Sequence, residues 1–409
     1  MKQCNKPLKI LSAFGAGIFA IGYTIGTGSI TSMAKAGADY GLALIWVLAL
    51  SCLFSGVLMT AYGRFAAVTG ETSLHGMMRF LPGGKILAMT VFAGVVTAQY
   101  TCLGGILILS AGAIKEAFSL EVGVFPIAAA IMAVMYALLM IARYSFFEKV
   151  LAFFVSIMML TFIVSVFIVW PDGEILKKAV MPILPRDGAS LLMLAAFVGT
   201  TMAAPTFVTR PLIVREKGLG PSDLKGEGVD AAVSASVMFV ISASVMAVAT
   251  GALFAEGRGI DKILDMAATL EPLAGKFAVV IFMAGTLAAG LSSVFPILMV
   301  APLLIGDMKS GRMDTKSKTF RLTCLAAALW GLVVPALGRN PIMVTIAAQI
   351  ANVFVLPLTV LAIMVLLNKK DVMGEHRAGK AMNALLAAAF VFSLVIAYVG
   401  AKALLGLKG

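Results

Sequence analysis

Charge is what this sequence has least of. Only 13% of its 409 residues are Asp, Glu, Lys or Arg, against 61% hydrophobic, and the mean hydropathy is +1.02. A soluble domain of that length needs far more polar surface to cover its core. The composition therefore excludes a soluble globular protein and indicates a polytopic membrane protein. Acids and bases are missing altogether from 10–34, 40–63, 86–114, 122–142, 150–171, 188–209, 231–255, 277–306, 322–338, 340–368 and 381–401. Each of these eleven windows is at or near the length that carries a helix across a bilayer. The apolar runs are continuous rather than alternating, which excludes a strand barrel. Cysteine is scarce as well. Cys4, Cys52, Cys102 and Cys324 are scattered, with no C-x-x-C pair, so neither a disulfide framework nor a zinc site is expected. Cys102 reads as a small apolar residue. There is no H-E-x-x-H, no G-x-S-x-G and no intramembrane pair of aspartates, which argues against an enzyme.

What charge there is lies between the windows. The formal net charge is +12. With the N-terminus placed in the cytoplasm, about two-thirds of the 32 Lys and Arg fall on the cytoplasmic side. That bias predicts an integral protein of a bacterial inner membrane with a cytoplasmic N-terminus. The positive charge then faces anionic lipid, and no nucleic acid is required. The first window is too long for a removable signal peptide and shows no small-residue cleavage site.

Two windows are interrupted. The first carries Gly26-Thr27-Gly28-Ser29 where a helix wants Leu and Ala, and the sixth carries Pro205. Pro205 removes a backbone donor and predicts a broken helix. A break at membrane depth is tolerated only where it is buried in protein or lines a cavity. Gly28 and Pro205 lie at nearly equal distances from the starts of their windows, residues 10 and 188. That is the pattern of a secondary transporter built from inverted repeats, with substrate held at the two breaks. The division expected is one transmembrane domain over 1–409. Its first repeat is 10–171, its second 188–368, and 381–401 is an additional helix.

Four stretches resemble the Nramp divalent-metal transporters, in the right order along the chain. They are AKAGADYGLALIWVLALSCLFSGVLMTAYGRFAAVTGETSLHGM, ARYSFFEKVLAFFVSIMML with Glu148, LAAGLSSVFPILMV, and AAQIANVFVLPL. The resemblance implies an all-α, LeuT-like fold of about eleven helices, with helices 1 and 6 broken at mid-membrane, working by alternating access. It also implies where the chemistry has changed. The family's Asp-Pro-Gly-Asn at the first break is Gly26-Thr27-Gly28-Ser29 here. Its Met-Pro-His at the second is Ala203-Ala204-Pro205, and a later histidine aligns with Arg210. Its acidic pair on helix 3, associated with the proton route, aligns with Gln99 and Cys102.

A dehydrated divalent ion wants oxygen, nitrogen or sulfur ligands, usually with negative charge. The positions left are neutral. Thr27, Ser29, Gln99, Tyr100, Thr201, Thr206, Ser292, Ser293, Gln349 and Asn352, with the backbone at Gly26, Gly28, Ala203 and Pro205, form a hydrogen-bonding set. Loss of Met and His for Ala predicts a roomy pocket. The expectation from these residues is proton-coupled symport of a neutral polar solute. A monosaccharide comes first and an amino acid next, with Mg²⁺ or Mn²⁺ as the alternative. Arg210, Glu148, Asp230 and His75 are the candidates for coupling to protons. No cofactor and no obligate protein partner is called for.

Overall fold

The computed structural model describes residues 20–22, 24–141, 144–168, 173, 188–254, 257, 260, 263–310, 317–338 and 341–405. The described residues of the charge-free windows are mostly helical, with non-helical links at 25–26, 41–44 and 202–203. After a short helical stretch ending before Gly26, the elements are α1 (Thr27–Tyr40), α2 (Ile45–Thr69), the short α3 (Ser73–Phe80), α4 (Gly84–Ala117), α5 (Val124–Ile141) and α6 (Tyr144–Ile168). Then come α7 (Gly188–Thr201), α8 (Ala204–Glu216), α9 (Leu224–Ala252), α10 (Ile263–Ser310), α11 (Lys318–Leu337), α12 (Pro341–Asn368), the single turn α13 (Lys370–Met373) and α14 (Lys380–Leu404). Among the described residues, nine helical segments are long and apolar enough to cross a membrane.

Burial separates two classes of helix. Of the windows that define the spans, those of Ser190–Glu216 and Met283–Lys309 are each 89% buried, whereas those of Val124–Ile141 and Lys380–Leu404 are 28% buried. In lipid the peripheral faces can stay apolar, so α5, α11 and α14 display Val134, Trp330 and Tyr398 outward. The central helices approach more closely, and glycine permits it. A Cβ on Gly199 of α7 would collide with the Gln349 carbonyl of α12. That packing places Gln349 beside the second break.

The loop between α2 and α4 is tied from below. Asp307, near the end of α10, accepts from the backbone N–H of Leu74 and of His75, each at 3.0 Å, and from the Thr72 hydroxyl. These are the otherwise unsatisfied first donors of α3, so a buried carboxylate serves as its cap.

Candidate functional site

Both breaks are present, with different causes. At the first, Gly26 is extended (φ −107°, ψ −176°) and caps α1. At the second, the chain leaves α7 at Thr201 and passes through Met202 and Ala203, the latter extended at φ −68°, ψ 117°. Pro205 is not the breaking residue expected from the sequence. It sits in the first turn of α8, where its missing N–H has no helical partner to lose.

A break frees carbonyls, and hydroxyls from neighbouring helices take them. Ser293 of α10 donates to the Gly22 carbonyl at 2.8 Å, and Ser55 of α2 donates to that of Thr201 at 2.9 Å. Thr200 reaches the Thr24 carbonyl at 3.4 Å, and the hydroxyls of Thr24 and Thr206 lie 3.2 Å apart across the two breaks.

Between the breaks lies a cavity of about 10 Å³ lined by Thr24, Gly26, Gly28, Ser29, Gln99, Cys102, Ile106, Thr200, Ala203, Ser293, Ile297 and Gln349. That volume holds about one water molecule. The roomy pocket expected from the loss of Met and His is absent. Thr345 stands against Gly28 and Ser293 against Gly26, so there is no space there even for an added Cβ.

The cavity gathers Gly26, Gly28, Ser29, Gln99, Ala203, Ser293 and Gln349 from the expected set. Others face elsewhere. Thr201 bonds back to the Phe197 carbonyl at 3.0 Å and Ser292 to that of Ala289 at 2.9 Å, the usual local satisfaction of hydroxyls in a helix. Asn352 supports the site from behind, donating to Gln349 Oε1 at 3.2 Å. Tyr100, Pro205 and Thr206 lie outside the lining, and the side chain of Thr27 lies outside the described residues. Thr24, Thr200 and Cys102 line the cavity without having been expected. For Cys102 a signal existed: it stands three residues after Gln99, on the same face of α4.

Two of the lining side chains have no partner. Ser29 is 2% and Gln99 3% exposed, and neither makes a hydrogen bond among the described residues. Their polar groups line the cavity, where a small entering group could reach them.

None of the four candidates for proton coupling lines the cavity. Arg210 is on α8 and 1% exposed. Its Nε lies 2.6 Å from Glu227 Oε1 and its Nη2 2.6 Å from Asp230 Oδ2, both acids on α9. Asp230 was, like Arg210, among the candidates for proton coupling; Glu227 was not foreseen. The Glu148 side chain lies outside the described residues. His75, on α3, is 3.7 Å from Glu71 across one helical turn.

The family description "Natural resistance-associated macrophage protein-like" matches residues 16–401. The chain belongs to the Nramp-like family. Among its relatives is the Divalent metal cation transporter MntH of Acidiphilium cryptum, 26% identical over 85% of this chain and 80% of the relative. The protein of that name from Pectobacterium carotovorum is 26% identical over 92% of this chain and 90% of its own length. The Eremococcus coleocola manganese transporter, solved in complex with an aromatic bis-isothiourea substituted compound, superposes with a TM-score of 0.75 at 13% identity, covering 100% of this chain and 91% of the other. MhsT, solved with L-phenylalanine, gives 0.66 at 14% identity, covering 94% and 98%. The fold is the all-α, LeuT-like fold of membrane transporters. The Nramp-like relatives overturn the expectation of a monosaccharide or amino-acid symporter: those matching most of the chain are divalent metal cation transporters. The small cavity agrees with that correction, since a sugar ring has no room there.

Proposed function

We propose that this protein transports a divalent metal cation across a bacterial cytoplasmic membrane by alternating access. The observation that carries the reading is the one-ion cavity at the two breaks, into which the unpartnered Ser29 and Gln99 point. Membership of a family with divalent-cation carriers supports it. The Lys and Arg bias of the loops supports a cytoplasmic N-terminus.

The ligands proposed are neutral. Ser29 Oγ and the Gln99 amide oxygen face the ion, with Thr24, Thr200, Ser293 and Gln349 around it. The Gly22 and Thr24 carbonyls are now held by Ser293 and Thr200. Rotation of those two hydroxyls exposes carbonyl oxygen to a cation at little cost in hydrogen bonds, because hydroxyls find partners in several directions. Among the described residues no three of His, Cys, Asp and Glu gather at one place, so no carboxylate cluster offsets the ion's lost hydration. Binding is accordingly weak, and the ion enters with part of its water shell and sheds it as the gates close.

The test is uptake of Mn²⁺ and Mg²⁺ into proteoliposomes that enclose metal-sensitive dyes. Saturable entry of either ion is expected. Liposomes containing monodisperse protein that admit neither ion above the protein-free background would overturn the reading.

A further inference from the structure

We propose that Cys102 is a metal ligand, a sulfur donor from α4 that makes the cavity favour soft cations over hard ones. The inference rests on the divalent-cation reading and adds a selectivity to it. Cys102 is a free thiol, 3% exposed, and it lines the cavity together with Ser29 and Gln99. It is the one group in that lining softer than oxygen or nitrogen. Sulfur ligands select late and heavy divalent ions, whereas hydroxyl and amide oxygens are indifferent or suit Mg²⁺.

The surroundings hold this sulfur in place. Gln349 Nε2 donates to Cys102 Sγ at 3.4 Å, and Asn352 donates to Gln349 Oε1 at 3.2 Å. The chain Asn352–Gln349–Cys102 orients the sulfur as outer hydrogen bonds orient ligands in metal sites. The two unpartnered groups supply the independent indication of a ligand. Gln99 stands one turn before Cys102 on α4, so an amide oxygen and a sulfur face the cavity from the same helix face. Ser29 offers its hydroxyl from α1. A metal takes the sulfur as thiolate, and the thiol proton leaves to the solution that the open cavity faces.

Relatives are expected to place a thioether sulfur on the sixth span, at the position of Ala203. Here Ala203 supplies none, and the sulfur comes from α4. The other described cysteines, Cys52 and Cys324, do not line the cavity.

The experiment compares wild type, Cys102→Ser and Cys102→Ala, purified and in proteoliposomes, with Cd²⁺ as the soft probe and Mg²⁺ as the hard one. Binding of Cd²⁺ is read from sulfur-to-metal charge-transfer absorption in the ultraviolet, which needs no transport. The band is expected in the wild type and absent from both variants. The ratio of Cd²⁺ to Mg²⁺ uptake should fall by about tenfold or more in Cys102→Ser, the scale on which residues around metals act. A band of equal strength in the variants, or an unchanged uptake ratio, overturns the assignment. Cd²⁺ binding lost with Cys102, in a protein whose liposomes take up no divalent ion, upholds the ligand and overturns the transport reading instead. Cys102→Ala serves where the serine variant does not fold.

Discussion

Two buried polar regions of this molecule are built on opposite rules. At the breaks, the cavity is lined by neutral donors, and two of them are left without partners. On α8, beyond the second break, Arg210 is locked between two carboxylates at 2.6 Å each, all three side chains 1–2% exposed. The strong charges bond to one another, with Arg210 Nη1 and Glu227 Oε2 left over among the described residues, whereas the weak donors open onto a cavity. Pairing makes the first kind of region a structural tie, because breaking one partner leaves a bare charge in a dry place. Access to a cavity makes the second kind the candidate binding site. A map of charge alone would have put the function at Arg210.

The comparison breaks most visibly at the tie. Arg210→Ala should lower stability by about 3–5 kcal/mol, since Glu227 and Asp230 lose their cation. Replacing Arg210, Glu227 and Asp230 together by Met, Leu and Leu should cost clearly less. Thermal unfolding in detergent measures both, and equal losses would show that the guanidinium matters for packing rather than pairing.

At the cavity the effect should fall on function. Gly28→Leu drives a side chain into Thr345 and should bring uptake to background. Its stability cost is about 1–3 kcal/mol, the usual penalty of overpacking. Normal uptake by a folded Gly28→Leu protein would place the ion path elsewhere.

Ser29→Asp turns one region into the other. A lone carboxylate in the cavity should lower the melting temperature without metal, and Mn²⁺ should restore it through binding to the folded state. Mn²⁺ affinity should rise about tenfold or more, each tenfold being 1.4 kcal/mol. A melting temperature that ignores Mn²⁺ would show that Ser29 does not face the ion.

The smallest effect belongs to Ser292→Ala. Its hydroxyl bonds back to Ala289, so stability should move by no more than about 0.5 kcal/mol and uptake not at all. A transport defect there would mean that the hydroxyl turns inward during the cycle.

The helices were legible because lipid leaves a strong mark: charge vanishes for a whole span and returns at its ends. The same mark hid half of the tie: Asp230 was a candidate, and Glu227 was not. Glu227 and Asp230 lie just outside the charge-free window 231–255, yet α9 begins at Leu224 and buries both. Asp307 was missed likewise, one residue beyond 277–306 but inside α10. The cavity was half legible. Gln99 and Gln349 are costly to bury, so their presence in a span signals a role. Thr200 and Thr201 differ by one helical step, about 100° of rotation, which no residue type encodes. Cys102 looked like filler because a thiol is as much at home in a core as a methyl group. Cavity size was the clearest failure: smaller side chains at the breaks suggested space, and their neighbours closed in.

The closeness of Gly199 to the Gln349 carbonyl has a mechanical meaning. With no side chain between them, α7 and α12 are pinned backbone to backbone beside the cavity. α8 is joined to α7 through the non-helical Met202 and Ala203. Gln349 therefore stands with the α7 wall, along with the Cys102 sulfur that accepts from it. A cation bound as proposed would rest against the part of the cavity that this backbone contact holds together.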